Sequence, residues 1–340
     1  MYFPIAYVRD WPTGYEAAAV VAPVLTNDVD NINNILPIIK NEGISATFFI
    51  DPATAENNRE LVRKISSYGE IAALVDIGYL ASINDKFNKL NSYAEQSKKL
   101  NAAKETLEKI SSSSVSGFLP YYGLFDQNTL NAVVNSNYKY VLTDSLTDRS
   151  VPKTIIRGDK RIVTMTKTAR DDYEIIRDFG LTLPEFQFYT YQEDLDRVLF
   201  EGGMYILKLH TEYQCRSDYA NVLKDIIKDL KKKKFWIATA NEIQKWYEKR
   251  DYIEIKADRR GKTRVALKVS NPGIEAINNL VIDLDLNDFA QNITIGSEII
   301  GTKTASVKHT SGSQMVYLFI DDLKPGESRQ YYIDYDKVSF

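Results

Sequence analysis

At 340 residues, with 44% apolar and 26% charged side chains, the chain is long for one compact core and too apolar for disorder, so two globular domains are expected. Forty-three basic residues against 46 acidic ones leave a net charge of −3, which excludes the broad basic surface that nucleic acid requires. The single cysteine, Cys215, excludes a disulfide framework and a thiolate metal cluster.

From about residue 15 to 248, short apolar runs alternate with longer amphipathic stretches, the pattern of βα units. Ala18 to Leu25 is expected as a buried strand, Ile32 to Asn41 as a helix and Ala46 to Ile50 as the next strand. Ala53 to Ser67 follows as a helix, Glu70 to Val75 as a strand, and Tyr93 to Ile110 as a long helix ending at four serines. Gly117 to Tyr121, Tyr138 to Leu142, Ile162 to Met165, Gly203 to Leu209 and Phe235 to Ala238 continue the strand series. Asn128 to Ser136, Asp171 to Phe179 and Ser217 to Lys231 supply the intervening helices. Such alternation implies a mostly parallel sheet, open or closed into a barrel. The Lys231 to Lys234 run reads as a solvated helix C-terminus stabilised by the helix dipole rather than as an anion site.

From Tyr252 the hydrophobic period changes to two. Short strands are expected at Ile253–Lys256, Val265–Val269, Leu280–Leu286, Gln314–Ile320 and Gln330–Tyr335, with turns at Asn271-Pro-Gly, Ser311-Gly-Ser and Lys324-Pro-Gly. This is the pattern of a small immunoglobulin-like β-sandwich. The expected division is residues 1–250 and 251–340. The longest early apolar run, Ala17 to Leu25, is far short of the roughly 20 residues of a membrane span and lacks the basic flank of a signal peptide. Either the chain acts in the cytoplasm or a leader or anchor has been removed ahead of it.

Functional groups of α/β domains gather at the carboxyl ends of strands. The first strand ends in Leu25-Thr-Asn-Asp28-Val-Asp30, two carboxylates able to face one crevice as general base and metal ligand, or to cap the following helix. Asn33 and Ile39 stand where an EF-hand would need Gly and Glu, so that reading fails.

With Ala46-Thr-Phe-Phe-Ile50, Gly69-Glu-Ile-Ala-Ala73, Gly117-Phe-Leu-Pro-Tyr-Tyr-Gly123, Ile206-Leu-Lys-Leu-His210 and Ile237-Ala-Thr-Ala-Asn-Glu-Ile-Gln-Lys-Trp246, this motif resembles the NodB-type polysaccharide deacetylases, family four of the carbohydrate esterases. The resemblance covers residues 15 to 248 and implies a deformed (β/α) barrel performing metal-assisted removal of sugar N-acetyl groups. It implies Asp28 as base, Asp30 as metal ligand, His210 as late acid and Tyr122 as the residue whose backbone N–H holds the oxyanion. The pattern then breaks. The two metal histidines are replaced by Leu74 and Gly78, and an expected arginine by Leu119. Only His210 and His309 exist in the whole chain, and His309 lies in the β region.

An oxygen-rich site of Asp30, Asp76 and Asp28 could hold a single harder divalent cation, the alternative being no cofactor. Tyr79 and Tyr121 are stacking candidates for sugar rings; Arg170 and Asp171 are candidates for contacts at the substrate rim, with Asp171 or Asp172 also suited to cap a helix. The favoured reading is a degenerate deacetylase domain that binds a polysaccharide or oligosaccharide, or serves as a scaffold, without cleaving it. The alternatives are an active N-deacetylase of an envelope or extracellular polysaccharide with a non-standard metal site, and a structural envelope module whose sandwich contacts a protein partner. A sandwich appended to a sugar-processing domain points to an extracytoplasmic location, an association of folds rather than a property of residues.

Overall fold

The computed structural model describes residues 3–80, 88–123, 125–144, 150–297 and 305–338. Contacts divide the chain into two units, residues 16–245 and residues 1–15 with 246–340. The first fifteen residues therefore do not belong with the α/β domain, as the expected 1–250 division has them. Strand β1 (Ile5–Val8) pairs antiparallel with a strand of the C-terminal region, Ile5 opposite Asp285 and Val8 opposite Ile282. The segment after it is pinned within the same unit: Trp246 donates its indole N–H to the Asp10 carbonyl at 2.7 Å, and Trp11 packs edge-on against Tyr247.

In the α/β unit, β2 (Ala17–Leu25), β3 (Ala46–Ile50) and β4 (Gly69–Val75) form the centre of the sheet. All nine residues of β2 are buried, as expected of a parallel strand covered on both faces. Helix α1 (Ile32–Asn41) buries Ile32, Ile35, Leu36 and Ile39, one stripe at helical spacing. The helix expected over 53–67 is two: α2 (Pro52–Asn57), capped by Asp51 with Pro52 in its first turn, and α3 (Arg59–Ile65). Asn58, at φ −130°, ψ 42°, breaks the path between them.

A short hairpin, β5 (Gly78–Leu80) and β6 (Asn88–Leu90), leads to α4 (Tyr93–Ser111), then β7 (Gly117–Pro120), α5 (Gln127–Asn135) and β8 (Tyr140–Thr143). The hairpin β9 (Lys153–Arg157) and β10 (Lys160–Thr166) follows, then α6 (Pro184–Glu201), β11 (Met204–His210), α7 (Ala220–Lys232), β12 (Phe235–Ile237) and α8 (Ala240–Arg250).

The strand order is β11-β2-β3-β4-β7-β8-β10-β9, with β12 also on β2; every pairing is parallel except that of β9 with β10. Among the described residues no pairing joins β9 to β11, so the barrel is an open, curled sheet. Its strands end on one rim at Leu25, Val75, Pro120, Thr143, Thr166 and His210, and that rim carries the site.

The second unit is all antiparallel: β13 (Glu254–Arg259), β14 (Arg264–Ser270), β15 (Leu280–Ser297), β16 (Ser306–His309), β17 (Ser313–Ile320) and β18 (Ser328–Lys337). Where a seven-residue strand is expected at 280–286, β15 runs for 18 residues and changes partner. Leu280–Asp285 pair with β17, and beyond a register shift Ala290–Ser297 pair with β18. One bulged strand thus joins the two halves of the sheet. Burial alternates along β18, where Arg329, Tyr331, Ile333 and Tyr335 point inward, the period of two read from the sequence.

Candidate active site at the strand ends

The strand ends surround a cavity of about 720 Å³. Leu74 from β4 and Leu119 from β7 give it an apolar floor, and Pro120 and Tyr121 continue one wall. The opposite wall is charged. Lys208 and His210, two apart on β11 and hence on one face of the strand, both line the cavity. Lys167, just past β10, brings a second ammonium group, and Asp144, Asp171 and Glu174 bring carboxylates.

These charges form one network. Lys208 Nζ lies 2.7 Å from Asp144 Oδ2 and 3.4 Å from Asp171 Oδ2. Lys167 Nζ lies 3.2 Å from Asp171 and 2.9 Å from Glu174. Both lysine side chains are 9% exposed, so partners are needed to offset lost hydration. Burial by itself would raise the Asp171 carboxyl; the ammonium groups of Lys167 and Lys208 outweigh it and hold it below the usual carboxylate range. Burial would likewise lower Lys167, and Asp171, Asp144 and Glu174 outweigh that and raise it. Asp171 also caps the helical turn that follows: its Oδ1 accepts from the Glu174 N–H at 3.2 Å, and Glu174 accepts from the Asp171 N–H at 2.9 Å, a reciprocal capping box. Gly123 lets Asp144 close on the cavity. At φ 66° a Cβ there would stand 2.6 Å from the Asp144 Cβ. Asp144 Oδ1 is buried without a hydrogen-bond partner among the described residues.

His210 is held from three sides. Its Nδ1 lies 2.6 Å from Asp172 Oδ1, and the other oxygen of that fully buried carboxylate accepts from the backbone N–H groups of His210 (2.6 Å) and Gln214 (3.1 Å). The Tyr173 ring stacks on the imidazole, centroids 3.5 Å apart and planes within 10°. Tyr173 donates its hydroxyl to Glu212 at 2.8 Å, and the Arg177 guanidinium lies over the Tyr173 ring, 4.5 Å from its centroid. Burial would raise the Glu212 carboxyl, but hydrogen bonds from Thr26 and Tyr173 outweigh it and lower it; Tyr173 is raised, by burial and then by Glu212. An imidazole whose Nδ1 faces a carboxylate carries its proton there when neutral, leaving Nε2 as an acceptor. Nε2 makes no hydrogen bond among the described residues.

The structure brings Asp171, His210 and Tyr121 to the cavity. It does not bring Asp28 or Asp30 there. The loop after β2 is tied to the loop after β11: the Thr26 N–H donates to Thr211 Oγ1, Thr211 Oγ1 to the Asn27 carbonyl, and Asn31 Nδ2 to the Thr211 carbonyl. Thr26 and Asn27 line the cavity instead, while Asp28 turns outward in the left-handed region (φ 48°) and opens a 3₁₀ turn over Val29–Asn31. Both aspartates are exposed. The expected capping role fails as well, since neither the turn nor α1 has a side-chain cap.

Asp76 is exposed and folds onto the Gly78 N–H at 3.0 Å. Arg170 is turned away to α6, where it meets Asp194 at 2.9 Å and Glu193 at 2.7 Å, and it does not line the cavity. Tyr79 and Tyr122 lie outside the residues whose side chains are described; the Tyr122 backbone stands in a 3₁₀ turn directly after β7. Sequence reasoning misses Lys167, Lys208, Asp144, Tyr173, Glu174 and Glu212, and reads Asp172 as a helix cap or rim contact rather than as the partner of His210. Lys208 had a legible signal, a lone lysine inside the apolar run Met204–Leu209 and two residues before His210.

The metal that the family resemblance implies does not fit these residues. Leu74 offers a hydrocarbon at one expected ligand position and Gly78 no side chain at the other; Asp30 and Asp76 lie off the cavity, which is furnished instead with two ammonium groups. Among the described residues no group of three His, Cys, Asp or Glu side chains is placed to hold a metal ion.

The polysaccharide deacetylase family model matches residues 23–141. No curated protein matches the sequence. A structure from Mycobacterium smegmatis assigned to the polysaccharide deacetylases is similar at 21% identity, covering 72% of this chain and 94% of that one, TM-score 0.58. PuuE allantoinase is similar at 16% identity, covering 70% and 93%, TM-score 0.58. A structure from Pseudomonas aeruginosa PAO1, also assigned to the polysaccharide deacetylases, is similar at 16% identity, covering 70% and 93%, TM-score 0.56. Residues 23–141 thus match the polysaccharide deacetylase family model, and the curled sheet shared with these structures gives the α/β unit the polysaccharide deacetylase fold.

Proposed function

We propose that this protein binds a neutral saccharide in the strand-end cavity and does not perform metal-assisted amide hydrolysis. The observation that carries the reading is the exchange of chemistry within one cavity: hydrocarbon at Leu74 and Leu119, fixed ion pairs at Lys208, Asp144, Asp171 and Lys167. A saccharide offers hydroxyl donors for Asp144 Oδ1 and His210 Nε2 and apolar ring faces for Tyr121. Without a Lewis acid the site lacks several kcal/mol of transition-state stabilisation, which amide hydrolysis needs. On this reading the saccharide is an envelope or extracellular glycan and the appended β unit makes protein contacts, a reading supported only by the association of such folds.

Calorimetric titration with N-acetylchitotetraose and xylotetraose is the test. The reading expects saturable binding of at least one, weakened tenfold or more in Leu119→Arg, which fills the floor with a charged side chain. Heat-free titrations with both sugars, or acetate release from N-acetylchitotetraose that depends on added zinc, cobalt or manganese, would overturn it.

A further inference from the structure

Glu70, near the start of β4, lies at the end of the sheet away from the cavity, and three elements bring hydrogen bonds to it. Its Oε1 accepts from the Tyr140 hydroxyl at 2.8 Å, and its Oε2 from the Thr47 hydroxyl at 3.1 Å and the Asn241 N–H at 3.0 Å. Thr47 in turn accepts from the Ala240 N–H at 2.9 Å. The first two N–H groups of α8, which no intrahelical carbonyl can satisfy, therefore end on one carboxyl group, directly or through Thr47. Neighbouring strands are shaped for this meeting. Tyr140 lies on β8 and Glu70 on β4, with β7 between them, so the ring must cross a strand to arrive. Gly117, opposite Tyr140 on β7, permits the crossing: a Cβ there would stand 1.8 Å from Tyr140 Cζ. Thr47 stands opposite Glu70 on β3.

All three hydrogen bonds donate to the carboxyl and favour its charged form, yet burial outweighs them and pushes Glu70 up to about 7. The titratable groups facing it are Tyr140 from β8 and Glu242 from α8, the latter a like charge that adds to the rise. A protonated carboxyl instead needs an acceptor, and one stands on the same helical turn. Asn241 Oδ1 is buried without a hydrogen-bond partner among the described residues. The charged form is thus held at a net cost, which access to water relieves. Of the elements around it, β3 and β8 are paired on both edges, whereas α8 meets the carboxyl with its first turn. Helix ends open more readily than strands paired on both sides.

We propose that Glu70 is a proton-operated latch on the first turn of α8, closed while the carboxyl keeps its proton and released when it loses it. The latch is independent of what the cavity binds. Its position gives it reach: residues 240–245 of α8 group with the α/β unit and residues 246–250 with the second unit. It therefore holds the near end of a helix that both units share. The folded value of Glu70 lies above the unfolded one near 4.5. Opening of the turn accordingly grows about tenfold per pH unit from 4.5 up to about 7 and levels off above. The turn is closed in acid and released near neutrality.

Hydrogen–deuterium exchange of the full chain is the test, read by mass spectrometry on peptides spanning Ala240 and Asn241 and, for comparison, helix α1. Exchange is followed from about pH 5 to 8 and corrected for the intrinsic pH dependence of amide exchange. The expected result is a roughly hundredfold loss of protection at Ala240 and Asn241 between about pH 5 and 7, a plateau above, and α1 unchanged. Glu70→Gln, neutral at every pH, should stay protected throughout. Tyr140→Phe removes a donor to the charged form, so its plateau should begin about one pH unit higher. If circular dichroism shows that Glu70→Gln is not folded, the Tyr140→Phe shift decides the matter. Protection independent of pH in the wild type, a loss shared equally by α1, the same loss in Glu70→Gln, or an unmoved plateau in Tyr140→Phe would each overturn the latch.

Discussion

The two sides of the strand-end cavity differ in what they have kept. On the side built by β2, β4 and β7, Asp28 and Asp30 face solvent and Leu74 and Leu119 line the cavity. On the side built by β8, β10 and β11, Lys208 pairs with Asp144 and Asp171, Lys167 with Asp171 and Glu174, and His210 with Asp172, most of these groups being buried. The folds of the two sides are equally regular, so the difference lies in side chains and not in scaffold. It teaches that a family's scaffold motifs and its chemistry can part within one cavity.

The largest effect should come from the buried carboxylate behind His210. Removing one partner of a buried pair costs about 3–5 kcal/mol, so Asp172→Ala should lower the urea midpoint of the α/β unit far more than any change on the β2 side. A midpoint within error of wild type would mean that the network is ornamental. Next in size is the opposite end of the sheet. Glu70 is pushed up to about 7 by burial, against the hydrogen bonds from the Asn241 N–H, Tyr140 and Thr47 that favour its charged form. Its folded value exceeds the unfolded one near 4.5, so its contribution is fully present below about pH 4.5 and is lost as pH rises through about 7. At 1.36 kcal/mol per unit this is on the order of 3 kcal/mol. Glu70→Gln, whose amide can donate to the Tyr140 oxygen, should flatten that slope between pH 5 and 8 in urea titrations; an unchanged slope would remove Glu70 as its source.

Lys208→Met should cost about 2 kcal/mol, because Asp144 loses its cation while Asp171 keeps Lys167. A thermal melt with no loss would mean that Lys208 is not a fixed part of the wall. The smallest effect belongs to Asp28, which stands exposed at φ 48°. Asp28→Gly should be neutral or stabilising by up to about 1 kcal/mol, since glycine meets no Cβ penalty there, and saccharide affinity should stay within twofold. A tenfold loss of affinity would return Asp28 to the site.

How far the sequence foretold this depends on distance along the chain. Strand β2 and helix α1 were legible because each carries one clean period, nine buried residues in a row and a four-residue stripe. Helix α6 was not, since exposed Phe186, Tyr189 and Phe200 blur the stripe of Tyr191, Leu195 and Val198. The β1 pairing escaped notice because it joins residues about 280 apart. In the site, the Asp28-Val-Asp30 motif was visible, but its placement was decided by a left-handed turn and by hydrogen bonds to Thr211, more than 180 residues on. The partnership of Asp172 with His210, 38 residues apart, likewise follows from the sheet and from no local pattern.

The comparison of the two sides rests most directly on metal content. The purified protein would be dialysed against zinc, cobalt, manganese and calcium in turn and its bound metal measured, beside Asp30→Ala. The expected result is metal at background in both proteins, with the charged side working alone. One equivalent in the wild type that disappears in Asp30→Ala would contradict it and place the chemistry back on the β2 side.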